Sequence, residues 1–215
     1  RLERLELVQS ESMQLARLVD DLVQASSLHA GSARLSVCRR DLVKLVGAQV
    51  TRFSEAAAAR GLDLELRGTR HSVMADVDPD RFGQVLANLL INAAEAIADR
   101  PGWVRITTTP MHLAAEDLAR LLPGQSLAPG VFVRLEVRDN GPGMDPATLA
   151  RVFEPFFSTK FQGRGLGLSA ILGIVKGHRG GVRAESEPGR GSCFSVYFPA
   201  AAAAAPGADS PSKAI

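Results

Sequence analysis

The first 29 residues carry hydrophobic side chains at intervals of three, four or seven, which is the spacing of one helical face. These apolar positions are Val8, Leu15, Leu18, Leu22 and Ala25. Charged residues fill the gaps, and Gly31 stands where glycine commonly follows the last turn of a helix. The pattern predicts a long amphipathic helix that needs a partner, either the other half of a helical hairpin or the domain that follows it.

Helical and extended patterns then mix along the chain. Residues 31–40 form a short polar connection with a possible strand at 35–38. We predict helices over residues 41–60, 78–98 and 165–178, with a short helical insertion over 114–121 and a loop over 123–130. Alternating side chains predict strands over residues 62–66, 73–77, 104–109, 131–138, 182–185 and 192–198. The last two strands would form a hairpin around Glu187-Pro188-Gly189.

The clearest helix start in the chain is Asp78-Pro79-Asp80. Asp can cap the helix, Pro suits its first turn, and acidic residues suit the positive end of its dipole. The mixture of strand pairs and long helices predicts an α+β fold, a two-layer sandwich with helices on one face of a mixed sheet. We expect a helical segment at 1–30, a linker at 31–40, the main domain at 41–199 and an Ala- and Pro-rich tail or linker at 200–215.

Composition narrows the functional classes. The 215 residues are 46% hydrophobic, which is enough for one core and an appendage. A net charge of +2, with one Trp and one Tyr, argues against a nucleic-acid partner. Cys38 and Cys193 lie far apart in the sequence and predict neither a disulfide framework nor a zinc site, so a reducing compartment is the default.

Membrane and export signals are missing from the pattern of the chain. No apolar run approaches the roughly 20 residues of a membrane span, and no signal peptide is evident. The chain begins at Arg1, inside a helical pattern. We therefore expect a cytoplasmic piece of a longer protein, with any membrane contact made only by parts outside this chain.

Two asparagines mark a first string in the helix that starts near Asp78, Asn88-Leu89-Leu90-Ile91-Asn92-Ala93-Ala94-Glu95-Ala96. Asn88 and Asn92 are four residues apart and share one helical face, in a segment that is otherwise mostly apolar. Buried amides need polar partners. A magnesium-bound nucleotide is one candidate, because an amide oxygen is a hard, neutral ligand for Mg²⁺ when phosphates supply the charge. Backbone groups of the core are the other candidate, and this segment alone leaves both open.

A second string, Asp139-Asn140-Gly141-Pro142-Gly143-Met144, directly follows the predicted strand at 131–138. Glycines at such a place let the backbone turn sharply and approach a ligand closely. The carboxylate of Asp139 can accept a hydrogen bond from an exocyclic amine such as that of adenine. An ordinary Asn-Gly turn also explains the string.

A third string, Phe153-Glu154-Pro155-Phe156-Phe157-Ser158-Thr159-Lys160, precedes the run Gly163-Arg164-Gly165-Leu166-Gly167-Leu168. The glycine-rich run opens a predicted helix, whose first backbone N–H groups and dipole would form a phosphate site. Lys160 and Arg164 can add positive charge there, although each is also typical of a solvated surface. The run does not follow a strand, which excludes a Rossmann dinucleotide site.

In this order, the three strings resemble the N, G1, F and G2 boxes of histidine-kinase catalytic domains. These domains belong to the GHKL superfamily, with gyrase, chaperone ATPases and mismatch-repair ATPases. The resemblance covers roughly residues 41–199 and implies the ATP-binding fold of that superfamily. The helix at 1–29 resembles the second helix of the dimerisation and phosphotransfer hairpin. The forms of the first string and of the lid resemble nitrogen-regulator-type and hybrid kinases.

The resemblance implies roles for individual residues. Asn92 would be the Mg²⁺ ligand, Asn88 its partner near the phosphates, and Asp139 the carboxylate that reads adenine. The stretch 153–167 would be the lid over the triphosphate. The implied ATP-binding residues are Asn88, Asn92, Asp139, Gly141, Gly143, Lys160, Gly163, Arg164, Gly165, Leu166, Gly167 and Leu168.

Position 88 separates the branches of the superfamily, since the resemblance implies a water-activating Glu there in the hydrolytic members. Asn88 has no titratable group and cannot act as a general base, which predicts that ATP is held without efficient hydrolysis. Glu95 lies on the same helix, three residues past Asn92. The resemblance leaves its role open, and a structural salt bridge is the better interpretation.

A histidine kinase also needs a phosphoacceptor histidine, usually followed by an acidic residue. The residues that follow His29, His71, His112 and His178 are Ala30, Ser72, Leu113 and Arg179. We expect His29 at the end of the first helix, His71 and His112 in loops, and His178 at a helix end, where a cation suits the dipole. The phosphoacceptor is therefore expected in a helix before Arg1.

The resemblance thus implies a protein-histidine kinase that uses ATP and Mg²⁺. It would pass the γ-phosphoryl group to a histidine outside this chain and then to an aspartate in a response-regulator receiver domain, and it would form a homodimer through the helical hairpin. Two alternatives stay open. One is a GHKL-type ATPase, which would need a carboxylate at position 88, and the other is a nucleotide-binding interaction module without kinase activity.

Overall fold

The computed structural model describes residues 35–98, 100–122, 127–160 and 165–201. The predicted helix at 1–29, most of the predicted tail and the site residues Gly163 and Arg164 lie outside the described residues. The described helices are α1 (Leu42–Ala58), α2 (Pro79–Ile97), α3 (Ala115–Leu118), α4 (Pro146–Arg151) and α5 (Gly167–Gly177). The strands are β1 (Cys38–Asp41), β2 (Leu62–Gly68), β3 (Met74–Val77), β4 (Gly102–Leu113), β5 (Gly130–Asp139), β6 (Gly181–Glu187) and β7 (Gly191–Pro199).

The strands form two sheets. In the larger sheet the order is β2-β4-β5-β7-β6, with β2 parallel to β4 and the other neighbours antiparallel. The second sheet pairs β1 with β3, antiparallel from Cys38 opposite Val77 to Asp41 opposite Met74. The predicted mixed sheet of an α+β fold is confirmed.

Helix α2 forms where its capping residues predict it. The Asp78 side chain accepts hydrogen bonds from the backbone N–H groups of Asp80 and Arg81, each at 3.1 Å, and Pro79 occupies the first turn. One face of the helix is buried in the core, through Phe82, Val85, Leu86, Leu89, Leu90, Ala93 and Ile97. The opposite side of the helix is not packed into the core, so its polar side chains are available to contact a ligand.

The main core lies between the long helices and one face of the larger sheet. Alternate residues of β5 point into it, ending at Asp139, and the rings of Phe82 and Phe198 meet with centroids 5.3 Å apart. A smaller cluster on the other face joins Leu113, Leu121, Phe132 and Tyr197, with Leu118 of α3 packed against it. The long helices thus share one face, as predicted, while the short insertion covers part of the other.

One predicted strand boundary was wrong. The strand predicted at 35–38 begins at Cys38, because Ser36 instead donates its backbone N–H to the Asp78 carboxylate at 2.8 Å. Ala200 and Ala201, the first residues of the expected tail or linker, donate backbone hydrogen bonds to Val131 and Met74. The first described residues of the expected linker and of the expected tail are therefore attached to the domain.

The expected placement of His112 and the expected charge of His178 were also wrong. His112 lies within β4, which is longer than predicted, rather than in a loop. His178 follows the last turn of α5 as predicted, but it is buried and is not a cation there, because its Nε2 atom accepts the backbone N–H of Asp78. Burial also lowers the pKa of its imidazole. Helix α4 was missed, although its Asp145-Pro146 start repeats the capping pattern of Asp78-Pro79. None of the described helices has the length and apolar character needed to cross a membrane.

Candidate functional site

The two asparagines of α2 face the start of α5. Asn88 Nδ2 donates a hydrogen bond to the carbonyl oxygen of Gly167, 3.2 Å away. A Cβ atom added to Gly167 would lie 3.7 Å from Asn92 Nδ2 and 3.9 Å from Asn88 Cγ. The first residue of α5 therefore lies beside both amides, and a side chain there would be in ordinary van der Waals contact with each of them. The first and third strings of the sequence meet at this point.

Asn92 has an unsatisfied polar group. Its Nδ2 atom is buried and has no hydrogen-bond partner among the described residues. Such groups are rare in folded proteins because leaving a buried donor unpaired is costly. A side-chain amide can present either its N–H₂ group or its oxygen, so this position suits a phosphate oxygen or, after rotation, a cation.

Asp139 is the last residue of β5 and lies inside the core, where only 2% of its surface is exposed to solvent. Its Oδ1 atom accepts hydrogen bonds from the backbone N–H groups of Gly141 at 2.8 Å and Ser192 at 3.3 Å. Burial raises the pKa of this carboxyl above its ordinary value, while the two backbone hydrogen bonds and the charges of Lys160 and Arg100 oppose that rise. A buried carboxylate held in this way can accept a hydrogen bond from a ligand with high directional selectivity.

The glycines after Asp139 are required by close backbone contacts. Gly143 has a φ of 68°, and a Cβ atom there would collide with the carbonyl oxygen of Glu187. A Cβ atom on Gly141 would lie 2.6 Å from Asp139 Oδ1 and 3.2 Å from the Ala96 side chain. The loop is thus pressed between the end of α2 and the β6–β7 hairpin, which is a tighter structure than an ordinary Asn-Gly turn.

Lys160, the last residue of the segment 153–160 in the third string, reaches α2. Its Nζ atom donates a hydrogen bond to Glu95 Oε2 at 2.8 Å and lies 3.5 Å from the backbone oxygen of Asn92. The positive charge of Lys160 also acts on the Asp139 carboxyl. The ammonium therefore lies against the first string, at Asn92 and Glu95.

The start of the last helix differs from the prediction. Helix α5 begins at Gly167 and not at Gly165, whose φ of 67° places it in a left-handed conformation before the helix. A side chain at Gly165 would collide with the backbone of Phe156 and Phe157, and its carbonyl accepts the Phe156 N–H at 2.9 Å. Leu166 is buried and Leu168 packs against the core, so any phosphate contact from these two would come from their backbone N–H groups.

Comparison with known proteins places these features in one family. The model for "Histidine kinase-, DNA gyrase B-, and HSP90-like ATPase" matches residues 77–202, which include every predicted site residue. The chain belongs to this ATPase family. The resemblance stated from the three strings is therefore confirmed.

Named members of the family show the same relationship. The sensor histidine kinase ZraS of Klebsiella oxytoca is 32% identical over 88% of this chain, and the match covers 36% of ZraS. The crystal structure of full-length ShkA in complex with AMPPNP matches with a TM-score of 0.70 at 29% identity, over 90% of this chain and 37% of ShkA. The catalytic domain of the histidine kinase ThkA matches with a TM-score of 0.63 at 27% identity, over 77% of this chain and 96% of that domain. This chain thus spans little more than a third of the ZraS sequence that it matches.

The structure also shows polar contacts beside the site that the sequence strings did not reveal. The Asn140 side chain accepts the Trp103 N–H at 2.8 Å, which joins the Asp139 loop to the start of β4. Asn140 lies inside the second string, so its position was visible but its partner was not. The N–H of Ser192 left no signal, because a backbone donor is the same in every residue except proline.

A cavity of about 340 Å³ lies elsewhere in this ATPase domain, between α1, α2 and β2. Its walls are mostly apolar and include Phe53, Leu64, Leu90 and Ala94. Asn88, Asn92 and Asp139 do not line it, so we place the candidate site at the junction of α2, α5 and the Asp139 loop rather than in this cavity. The described residues hold no group of three or more His, Cys, Asp or Glu side chains suited to a metal ion.

Proposed function

We propose that this chain is the ATP-binding catalytic region of a two-component sensor histidine kinase. Its role is to supply the γ-phosphoryl group of Mg-ATP to a histidine outside this chain, from which it passes to an aspartate of a response regulator. The observation that carries the proposal is that one side of α2 contacts all three strings. Asn88 bonds to the carbonyl oxygen of Gly167, and Lys160 Nζ lies 3.5 Å from the backbone oxygen of Asn92. The Gly141 backbone of the Asp139 loop lies against Ala96 on the same helix.

The bound nucleotide would lie along this junction. Asp139 accepts the exocyclic amine of adenine, while Gly141 and Gly143 shape the wall beside the base. Asn88, Lys160 and the first N–H groups of α5 face the phosphates, since a helix start favours anions. Gly163 and Arg164, with Gly165, belong to the proposed lid over the triphosphate.

Asn92 is the proposed magnesium ligand, and its buried, unpartnered amide fits that role. Mg²⁺ usually binds few protein ligands together with substrate phosphates and neutralises charge that develops on them. Asn92 would orient the ion. Asn88, one turn before it, would hold α2 against α5 through its hydrogen bond to Gly167. The chain's own residues thus bind and align the triphosphate.

The site favours storage of the phosphoryl group over hydrolysis. Asn88 occupies the position from which a carboxylate would activate water, and an amide cannot take up a proton. The next carboxylate on the same face of α2, Glu95, lies two helical turns beyond Asn88, about 10 Å along the axis, and does not replace it. Transfer would then depend on the approach of an outside histidine, and its rate on positioning and charge neutralisation.

The remaining parts of the proposal concern the segments that flank the ATP-binding domain and the partner protein. Residues 1–30 would be the second helix of the phosphotransfer hairpin and would pair in a homodimer. Residues 31–40 and 200–215 would connect the ATP-binding domain, residues 41–199, to neighbouring parts of a cytoplasmic protein. A receiver domain is the proposed partner, in keeping with the solved complex of the kinase ThkA with the response regulator protein TrrA.

Calorimetric titration of the intact chain with ATP tests the proposal. We expect saturable binding that weakens when EDTA removes Mg²⁺, and an Asn92→Ala variant whose affinity in magnesium matches that of the wild type in EDTA. Incubation with labelled ATP should yield no acid-labile phosphoprotein, because none of the four histidines precedes an acidic residue. Absence of saturable binding would contradict the proposal, and rapid magnesium-dependent hydrolysis would favour the ATPase alternative.

A further inference from the structure

Glu95 has no role in the proposed phosphoryl transfer, yet it stands beside the groups that do. Asn88, Asn92 and Glu95 follow one another at four and three residues, so they form one stripe along α2. The Glu95 carboxylate contacts the Lys160 ammonium at 2.8 Å. The same ammonium lies 3.5 Å from the backbone oxygen of Asn92. Glu95 therefore sets where this cation stands relative to the proposed magnesium ligand.

The ion pair between Lys160 and Glu95 is exposed enough for the ammonium to change partners. The side chains of Lys160 and Glu95 are 37% and 45% exposed, and ion pairs at such positions are weak because water screens them. The backbone at Lys160 is held by a contact that does not involve Glu95, since the Ser158 hydroxyl accepts the Lys160 N–H at 3.1 Å. Release of the ammonium from Glu95 therefore does not require the backbone beside it to unfold.

We propose that Glu95 competes with the phosphates of the nucleotide for the Lys160 ammonium and thereby limits the affinity of the site. The inference rests on the proposed function, because it assigns Lys160 to a phosphate. A polyphosphate carries several negative charges against one on the carboxylate, and charge-assisted bonds from an ammonium to phosphate are strong. Binding then transfers the cation from Glu95 to the nucleotide, and the competition grows with the number of phosphates.

The test is a double-mutant cycle with nucleotide affinity as the readout. Glu95→Gln keeps the shape of the side chain and removes its charge, so it should tighten Mg-ATP binding roughly two- to fivefold, the range of a partly exposed ion pair. The gain should be smaller for ADP and absent for AMP. Lys160→Met should weaken ATP binding, and the double variant Glu95→Gln with Lys160→Met should bind no more tightly than Lys160→Met alone.

A matched control is Glu185→Gln, which removes the carboxylate of the Arg183–Glu185 ion pair, a 2.6 Å contact on the β6 strand. It should leave ATP affinity unchanged. An unchanged or weaker affinity of Glu95→Gln overturns the inference, and so does a gain that persists without Lys160, because Glu95 would then act only through its own charge. Failure of the wild-type chain to bind Mg-ATP would instead overturn the proposed function itself.

Discussion

The imidazole of His178 accepts a hydrogen bond at Nε2 from the backbone N–H of Asp78, 2.9 Å away. Its other nitrogen, Nδ1, must then carry the proton and donate to the carbonyl oxygen of Ile174 at 2.8 Å. Asp78 caps α2, and His178 follows the last turn of α5. One buried, neutral ring therefore joins the ends of the two helices that carry the candidate site.

Replacing His178 tests this junction. His178→Gln loses a ring that packs edge-on against Phe198 and leaves the Asp78 N–H without its partner, so we expect the free energy of unfolding to fall by about 2–4 kcal/mol. Burial lowers the pKa of His178, so the folded state resists protonation while the unfolded state binds a proton near pH 6.5. The stability difference between wild type and variant should be full above about pH 6.5 and shrink as the pH falls towards the lowered pKa.

Urea denaturation from pH 8 to pH 5 measures both effects. The neighbouring Asp78 carboxyl does not interfere, because its pKa is lowered and it stays ionised through this range. His71→Gln serves as the control, since His71 is exposed and its change should cost less than about 0.5 kcal/mol. A stability difference that is constant with pH would mean that the His178 ring does not titrate as its buried position requires.

Asp139→Asn should separate stability from nucleotide binding. The pKa of Asp139 is raised by burial, so ionisation of this carboxyl costs stability as the pH rises through that value. Asn keeps an oxygen for the N–H groups of Gly141 and Ser192 and removes the buried charge, so thermal unfolding should be unchanged or shifted upwards. ATP affinity should fall about ten- to hundredfold, because the amide is a weaker acceptor than the carboxylate for the adenine amine.

The two measurements are differential scanning calorimetry without nucleotide and titration with Mg-ATP. For the wild type, affinity should also weaken as the pH falls through the raised pKa of Asp139, since the protonated acid accepts poorly. A variant that unfolds at a lower temperature and binds ATP normally would show that Asp139 is a structural residue.

Gly143→Ala should destabilise the domain more than Gly189→Ala. Both glycines have positive φ angles, 68° and 79°, which cost a side-chain-bearing residue about 1 kcal/mol. Only at Gly143 does an added Cβ atom collide with the backbone oxygen of Glu187, whereas no atom lies within 4 Å of a Cβ added at Gly189. We expect losses in urea denaturation of about 3 kcal/mol and about 1 kcal/mol respectively. Equal losses would mean that the Asp139 loop moves away from the hairpin at little cost.

Much of the site could be predicted because its signals are local. The four-residue spacing of Asn88 and Asn92 and the cap at Asp78 depend only on the geometry of a single helix. The same capping signal at Asp145 was overlooked, and with it α4. The start of α5 was placed two residues early, because a string of glycines does not reveal which of them turns left-handed before the helix.

The amino-acid sequence by itself determined the family of this chain, the order of its site strings and the helices that carry them, because periodicity, capping and glycine placement act over a few neighbouring residues. The tertiary structure alone decided that Lys160 pairs with Glu95, 65 residues away, and that His178 closes on Asp78, 100 residues away. Such contacts depend on how the helices and the sheet pack together, and no local pattern specifies which distant backbone group a side chain will meet.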